Sequence, residues 1–152
     1  MGDSGVRNFS RVTAGLCCAV AAVMVLLCSP NAAQAQVTVL IDRSTQTMSV
    51  SVDGEFYAAW AVSTARRGYR TPAGSFRPFR LEKVWYSTKY DAAPMPNSIF
   101  FAGGYAIHGT TEIRRLGLPV SHGCVRLHPT HARELFELVR SRGLGQTRII
   151  VE

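Results

Sequence analysis

The sequence predicts a mainly β domain with one packed α-helix near the C-terminus. Apolar and polar residues alternate along several segments after residue 36, as they do in half-buried strands. Asp53-Gly54 supplies the turn of a β-hairpin, because both residues tolerate positive φ. A single segment, residues 129–142, carries apolar residues at helical spacing. These observations favour a β structure on which one helix packs, and they argue against a helical bundle.

The first 35 residues are predicted to be a secretory signal peptide that precedes this domain. A short basic start leads into an apolar run from Val12 to Cys28, and the small-residue pattern Ala33-Gln34-Ala35 follows. Cleavage after Ala35 leaves residues 36–152, about 117 residues, which can bury a core without disulfides or metals. We therefore expect an exported protein of the periplasm or cell envelope.

Two alternatives exist for the N-terminal segment. The first is an uncleaved membrane anchor, although about 17 apolar residues lie near the lower limit for crossing a bilayer. The second is a lipoprotein anchor at Cys28, which the bulky Leu27 before it disfavours.

Removal of the signal peptide changes both the cysteine count and the charge. Three of the four cysteines lie within residues 1–35, so the exported domain keeps only Cys124 and forms no internal disulfide. It keeps 15 basic and 9 acidic residues, a net charge of +6. In an exported protein without basic and aromatic repeats, this charge argues against nucleic acid as a partner. It fits an acidic cell-wall polymer or an ordinary solvated surface.

The expected strands follow one another from the start of the domain. Residues 37–42 and 46–53 alternate in polarity, and residues 55–64 return after the hairpin turn, so the domain opens as a β-meander. Residues 65–78 form a loop punctuated by glycine and proline, and residues 80–87 are strand-like.

The second half of the domain brings candidate chemistry to a strand end. Residues 88–97 contain two prolines and little periodicity, which indicates an irregular excursion. Residues 98–109 are apolar and β-rich, are interrupted by Gly103-Gly104, and carry His108 near their end. Residues 110–120 form a flexible connection.

The helix is predicted over residues 129–142, and a last strand over residues 146–152. Pro129 suits the first helical position, where its missing N–H costs nothing. Gly143 is placed to end the helix. The apolar face consists of Ala132, Leu135, Phe136 and Val139.

Cys124 stands in the stretch SHGCVRLH, residues 121–128, and all four histidines lie within 24 residues around it. One hypothesis is a metal site made of Cys124, His122, His128 and His131. The single residue between His122 and Cys124 is short for a tetrahedral site, and the other two histidines fall at the helix start. We therefore expect no metal.

Nucleophilic catalysis by Cys124 is the second hypothesis. A thiol attacks as its thiolate and needs a nearby base or positive charge, for which His108 and His122 are both candidates. Gly123 permits a substrate carbonyl to approach closely and lets backbone N–H groups face a developing oxyanion. Arg126 falls on the same side of an extended strand as Cys124, where it can hold a carboxylate, stabilise the oxyanion or form a surface ion pair. This chemistry is acyl transfer through a thioester.

The same residues carry a resemblance to a known family. "IHGT" at 107–110 and "SHGCVRLH" at 121–128 resemble the paired HG[TS] and [ST]HGC signature of the YkuD-like L,D-transpeptidase catalytic domain. "WAVSTA" at 60–65 is similar to the W-x-VSTG strand of that family, with alanine for the usual glycine, and "TPAGSF" at 71–76 to its TPxGxF turn. The resemblance covers roughly residues 37–151.

The resemblance implies an L,D-transpeptidase-like β-sandwich or barrel, an exported enzyme of peptidoglycan and no cofactor. It implies that Cys124 is the nucleophile and that His108 accepts and donates the proton. The other motif positions are assigned to the oxyanion or to substrate binding: Ser121, His122, Gly123, Arg126 and Gly109. In that family the thioester forms at the third residue of a tetrapeptide stem and D-Ala leaves, and carbapenems are expected as covalent inhibitors.

Several functions remain open beside this one. The acceptor is a second stem, a wall-anchored protein or water, and water would make the protein an L,D-carboxypeptidase. A papain-like endopeptidase is disfavoured because its cysteine precedes its histidine, and a sortase because its gap between cysteine and arginine is longer. A non-catalytic wall-binding module explains the charge and the export, but not a lone cysteine beside two histidines.

Overall fold

The computed structural model describes residues 1–2 and 37–152. The predicted signal peptide lies outside the described residues, apart from its first two positions. The predicted catalytic domain falls within one compact unit, Asn31–Glu152. In the part of the chain that the structure describes, no helix is long and apolar enough to cross a membrane.

The described residues confirm the predicted fold class, because nine strands form two sheets and one α-helix lies near the C-terminus. The strands are β1 (Val37–Asp42), β2 (Thr47–Val52), β3 (Glu55–Ala61), β4 (Gly74–Phe76), β5 (Arg80–Glu82), β6 (Ser98–Ala102), β7 (Tyr105–Gly109), β8 (Val125–Leu127) and β9 (Thr147–Val151). The helix is α1 (Pro129–Arg142). The first sheet has the order β3-β2-β1-β9-β4, and the second has the order β5-β6-β7-β8.

The first sheet begins with the predicted meander. Asp53 and Gly54 adopt φ values of 53° and 87°, so β2 and β3 are joined by the two-residue turn that the sequence predicts. β9 pairs in parallel with β1 and antiparallel with β4. The last strand of the chain therefore lies inside this sheet rather than at its edge.

The second sheet brings two distant segments side by side. β6 and β7 form a hairpin around Gly103-Gly104, and β7 pairs in parallel with β8. Successive side chains of a strand point to opposite faces, so Ile107 and Val125 enter the core while His108 and Arg126 project from the other face.

Helix α1 spans the predicted residues and packs mainly against β7. His128 caps its start, because Nδ1 of the ring accepts the N–H of Thr130 at 3.3 Å. Gly143, with φ of 96°, ends it. The predicted apolar face is buried in a core that joins both sheets, and its residues are Ala132, Leu135, Phe136 and Val139.

Two segments differ from the prediction. The predicted loop 65–78 contains β4, which pairs with β9, a segment about seventy positions away that no local pattern reveals. The predicted strand 80–87 ends at Glu82. Beyond Glu82 the chain no longer pairs with β6. It pairs instead with the segment that leads back to β6, because Trp85 O accepts a hydrogen bond from Met95 N at 2.8 Å.

Candidate active site

The parallel pairing of β7 with β8 gathers the predicted chemistry on one face of the second sheet. His108 lies opposite Arg126, and Cys124 comes two residues before Arg126, so the three side chains project from the same face. With Ser121 and His122 they line a cleft of about 580 Å³. The structure thus brings together five of the predicted site residues.

His108 is buried, and a backbone hydrogen bond sets its tautomer. Its Nδ1 lies 2.7 Å from the carbonyl oxygen of Gly109. A carbonyl oxygen can only accept, so Nδ1 carries the hydrogen and the neutral ring keeps a lone pair on Nε2. Burial lowers the pKa of His108 to about 4; the bond to Gly109 opposes this shift and the charge of Arg126 adds to it. At neutral pH the ring is an uncharged base.

Cys124 is half-buried beside an apolar cluster. The cluster consists of Met95, Phe100 and Ala106. Burial raises the pKa of the Cys124 thiol, while a hydrogen bond with the Ala106 backbone and the charge of Arg126 act in the opposite direction. The resting site therefore holds a neutral thiol and a neutral imidazole. Such a thiol needs a base to remove its proton when it attacks.

The turn that leads into Cys124 requires glycine. Gly123 has φ of +131°, and a Cβ there would lie 2.6 Å from the ring of Tyr105. The N–H of Gly123 donates to Ser121 Oγ at 3.0 Å, and its carbonyl accepts from Thr71 Oγ1 at 2.8 Å. The N–H of Gly123 is thus engaged inside the turn, and both Ser121 and Gly123 shape the backbone that presents Cys124.

Thr71 is a site-supporting residue that the sequence did not single out. Only 1% of it is exposed. Its hydroxyl accepts the N–H of Ala65 at 3.0 Å and donates to the carbonyl of Gly123. The signal available was the TPAGSF stretch itself, yet the partners of Thr71 lie 6 and 52 positions away, so the motif alone could not assign this role.

His122 lies at the rim of the cleft in an aromatic setting. Its ring stacks on Tyr90 with centroids 4.5 Å apart and meets Tyr69 edge-on at 4.7 Å. Its Nε2 is 2.9 Å from the guanidinium of Arg66, which can only donate, so this lone pair is already used. Burial, followed by the neighbouring arginines, lowers the pKa of His122.

Arg126 is paired in the resting structure. Its Nη1 lies 3.2 Å from Glu112 Oε1, and its side chain is only 16% exposed. The other carboxylate oxygen of Glu112 accepts from Arg115 at 2.9 Å. Glu112 was not predicted, because it falls in the connection 110–120 that showed no pattern. Arg126 therefore meets a substrate with one carboxylate already in contact.

Gly109 lies behind the site and does not line the cleft. Its N–H donates to the carbonyl of Pro96 at 2.9 Å. A Cβ at this position would come within 3.3 Å of the backbone of Pro129 and 3.4 Å of Ala132, so glycine allows the start of α1 to pack closely. Its carbonyl orients His108, while a contact with oxyanion or substrate stays a prediction.

The other two histidines lie at the start of α1 and make structural contacts there. His128 caps α1, and His131 stacks on Trp60 with centroids 5.1 Å apart. Among residues 37–152, no three or more His, Cys, Asp or Glu side chains lie close enough together to hold a metal ion.

The wall of the cleft opposite β8 carries an arginine that the sequence did not single out. The guanidinium of Arg80 lies 4.4 Å from the ring centroid of Trp85 and 4.1 Å from that of Phe100. Arg80 and Trp85 fell in a segment predicted to be a plain strand. Tyr90 belongs to the predicted irregular excursion and also lines the cleft.

Known proteins resemble this chain in both sequence and fold. Residues 36–151 match the YkuD family profile, described as the L,D-transpeptidase catalytic domain. YqjB of Bacillus subtilis (strain 168), whose name assigns it provisionally as an L,D-transpeptidase, is 27% identical over 114 residues, which is 66% of this chain and 65% of YqjB.

Solved structures agree in fold. An L,D-transpeptidase (Yku) from Stackebrandtia nassauensis is 31% identical with a TM-score of 0.68, over 77% of this chain and 55% of that one. L,D-transpeptidase 3 from Mycobacterium tuberculosis, solved with a faropenem-derived adduct, is 21% identical with a TM-score of 0.68, over 77% of this chain and 60% of that one. The chain therefore spans less than two thirds of the length of each of these relatives.

Proposed function

The chain belongs to the YkuD family of L,D-transpeptidase catalytic domains, and from this membership we propose that it is a cysteine-dependent L,D-transpeptidase of peptidoglycan stem peptides. The observation that carries the proposal is the shared face of β7 and β8. There a half-buried thiol, Cys124, and a buried neutral imidazole, His108, line the same cleft, and the hydrogen bond of Nδ1 leaves the lone pair of the ring on Nε2. This pairing suits acyl transfer by a nucleophile and a general base.

Acylation begins when Cys124 Sγ attacks the carbonyl carbon of the third residue of a tetrapeptide stem. As the C–S bond forms, Nε2 of His108 takes the thiol proton. The tetrahedral intermediate then collapses, the C–N bond to D-Ala breaks, and His108 gives the proton to the leaving amine. The products are a thioester on Cys124 and free D-Ala.

Transfer reverses these roles with a second nucleophile. An acceptor amine enters the cleft, His108 removes its proton, and the new C–N bond forms as the C–S bond breaks. Cys124 recovers its proton from His108. An amine on a second stem gives a cross-link, an amine on a wall-anchored protein gives attachment, and water gives the L,D-carboxypeptidase outcome.

An exported location is part of the proposal. The predicted signal peptide of residues 1–35 directs the chain to the periplasm or cell envelope, where stem peptides are found. Comparing the mass of the mature protein from the cell envelope with that of the full chain tests this. Cleavage near Ala35 is the expected result, and an intact N-terminus would favour the membrane-anchor alternative.

The direct test is incubation of the full chain with purified tetrapeptide stems, followed by mass analysis of the products. Release of D-Ala with formation of linked or shortened stems is expected. Cys124→Ala should lower turnover by at least about 10³-fold, because the nucleophile is gone, while leaving thermal unfolding close to that of the parent. Turnover retained by this variant would refute the proposal.

Covalent labelling provides a second test that separates an enzyme from a wall-binding module. A carbapenem should add its mass to the intact wild-type protein and not to Cys124→Ala. The relative from Mycobacterium tuberculosis was solved with an adduct of faropenem, a penem, which supports β-lactams as the class of probe. A protein that binds cell-wall sacculi but forms no adduct and releases no D-Ala would be a binding module.

A further inference from the structure

Arg80 is a cleft cation whose donors have no acceptor in the described part of the chain. It opens β5 and lines the cleft that contains Cys124. Its Nε is buried without a hydrogen-bond partner among the described residues. Glu82 forms a long ion pair with Arg80, in which its carboxylate oxygen is 3.7 Å from Nε, too far for a hydrogen bond. Arg126, by contrast, is already paired with Glu112.

Two aromatic rings hold the guanidinium of Arg80 in a defined place. The rings of Trp85 and Phe100 both lie within 4.5 Å of its central carbon, a distance at which cation–π attraction operates. The two rings are nearly perpendicular, with centroids 5.6 Å apart, so both lie on one side of the guanidinium. The side chain is 42% exposed, which leaves the terminal N–H donors on the other side available to a ligand. The planar edge that carries these donors matches the two oxygens of a carboxylate.

The charges that line the cleft favour an anionic ligand. Arg80, Lys89 and Arg126 face two acids, Asp91 and Glu112. Glu112 is engaged by Arg126 and, outside the cleft lining, by Arg115. Lys89 lies 5.5 Å from the ring centroid of Tyr90 on a long, flexible side chain. Arg80 has only a long ion pair with Glu82, at 3.7 Å, and is therefore the positioned cation of the cleft that makes no hydrogen bond within the described chain.

Sheet register relates Arg80 to the nucleophile. Arg80 lies opposite Phe100, and Phe100 lies opposite Ala106. Continuing the β7–β8 register by one residue sets Ala106 beside Cys124, so the four positions form one row across the sheet. Because strands lie about 4.8 Å apart and the guanidinium sits over Phe100, two strands from Cys124, it is about 10 Å from the nucleophile.

We propose that Arg80, held against Trp85 and Phe100, binds a free carboxylate on the acyl side of the cleaved bond and thereby selects donor peptides that carry one. The inference rests on the proposed function. The carboxylate of the leaving residue is only one peptide unit, about 4 Å, from the attacked carbonyl, so it reaches Arg80 only when that unit is fully extended toward it. A carboxylate on the side chain of the acylated residue, or on the residue before it, is long enough to span the distance.

The experiment measures kcat/KM for D-Ala release by the full chain with three donor tetrapeptides. One is unmodified, one carries a carboxamide in place of the side-chain carboxylate of the third residue, and one carries a carboxamide on the second residue. Amidation at the recognised position should lower wild-type kcat/KM about tenfold, as expected for one charge-assisted contact in a partly exposed site. The other amidated peptide should behave like the unmodified one, which identifies the carboxylate.

Variants of Arg80 test whether this residue makes the contact. Arg80→Gln should lower kcat/KM for the unmodified peptide about tenfold and abolish the discrimination against the amidated one, while Arg80→Lys should retain part of it. Arg77→Gln, an exposed arginine three positions earlier, is the matched control and should behave as wild type. Alkylation of Cys124 by iodoacetamide should be unchanged in every variant, because this small neutral reagent needs no carboxylate site.

Three outcomes would overturn the inference. An Arg80→Gln variant that still discriminates between free and amidated donors would show that another group reads the carboxylate. Equal losses on all three peptides, with slower alkylation, would show that Arg80 only supports Trp85 and the cleft wall. Failure of the wild type to process any peptide would overturn the proposed function as well, and that result differs plainly from the other two.

Discussion

The two histidines that flank Cys124 in space differ in which ring nitrogen is available. His108 spends Nδ1 on the carbonyl of Gly109 and keeps Nε2 for a proton. Nε2 of His122 already accepts a hydrogen bond from the guanidinium of Arg66, and the ring is packed against Tyr90. Either residue could serve as the base on sequence grounds, and only the resemblance favoured His108. The hydrogen bonds supply the physical reason.

Burial of His108 should make folding stability depend on pH. The unfolded chain binds a proton at this residue below about pH 6.5, whereas the depressed pKa means that the folded chain binds it only near pH 4. Between pH 6.5 and pH 4, protonation therefore favours the unfolded state. The stabilisation that the neutral His108 gives the folded state is complete above pH 6.5 and is lost as the pH falls to 4. It amounts to about 3 kcal/mol.

Urea unfolding of the wild type and of His108→Asn at pH 7 and pH 4 measures this contribution. Asparagine can still donate to the carbonyl of Gly109 but does not titrate. We expect the wild type to lose about 3 kcal/mol more than the variant between the two pH values. Equal losses would mean that His108 is protonated in the folded state well above pH 4.

The turn before Cys124 is held by elements that are far apart in the sequence. The segment that follows β3 is hydrogen-bonded to this turn. Ser121 N donates to Thr64 O at 2.9 Å, and Arg66 N donates to Ser121 O at 3.0 Å. Thr71, in the loop that follows, bonds to Gly123. Cys124, the proposed nucleophile, is therefore presented by a turn held between β8 and the segment after β3.

Thr71→Val should weaken both the fold and the site. Valine has nearly the same shape but leaves the N–H of Ala65 and the carbonyl of Gly123 without this partner, at a cost of about 1–3 kcal/mol. Looser presentation of Cys124 should also slow its acylation by a carbapenem about tenfold. Urea unfolding and the rate of adduct formation measure the two effects.

Two further variants give this prediction its controls. Thr71→Ser keeps the hydroxyl and should restore the acylation rate. Thr38→Val on β1, where valine suits a strand, should change stability by no more than about 0.5 kcal/mol. A Thr71→Val protein with wild-type acylation would remove Thr71 from any positioning role.

Local elements were predictable where their signals are local. Helix α1 matches its predicted bounds because a proline start, an apolar stripe and a glycine end all lie within the segment. Strand β4 was missed because only pairing with β9 makes Gly74–Phe76 a strand. The predicted strand 80–87 was too long because its second half bonds to residues near Met95 instead of to β6.

At the scale of the whole molecule, the last strand joins the two ends of the domain. β9 lies between β1 and β4, and its inward residues share one core with α1 and the second sheet. The second sheet, which bears the cleft on one face, packs with its other face on this core. Residues of β9 complete the core. Stability of the site and stability of the fold are coupled through it.

Ile149→Ala tests this coupling. Ile149 is fully buried in β9, so its truncation should lower the free energy of unfolding by about 2–5 kcal/mol. Arg148→Ala, an exposed neighbour on the same strand, should change it by no more than about 0.5 kcal/mol. Urea unfolding measures both, and similar losses for the two variants would contradict a central position for β9.

The fold class and the helix were predictable from the sequence alone, and the sequence also singled out Cys124 as the proposed nucleophile. Alternation, capping and turn residues are local signals, and Cys124 is distinctive because no other cysteine follows the predicted signal peptide. The groups that surround Cys124 were not predictable, because they come together only through tertiary contacts. Parallel pairing set His108 beside Arg126, and buried bonds tied Thr71 to Gly123. Sheet register set Arg80 in the row of Cys124. These contacts join residues far apart in the chain, and hydrophobic closure of the core, rather than any local pattern, brings such residues together.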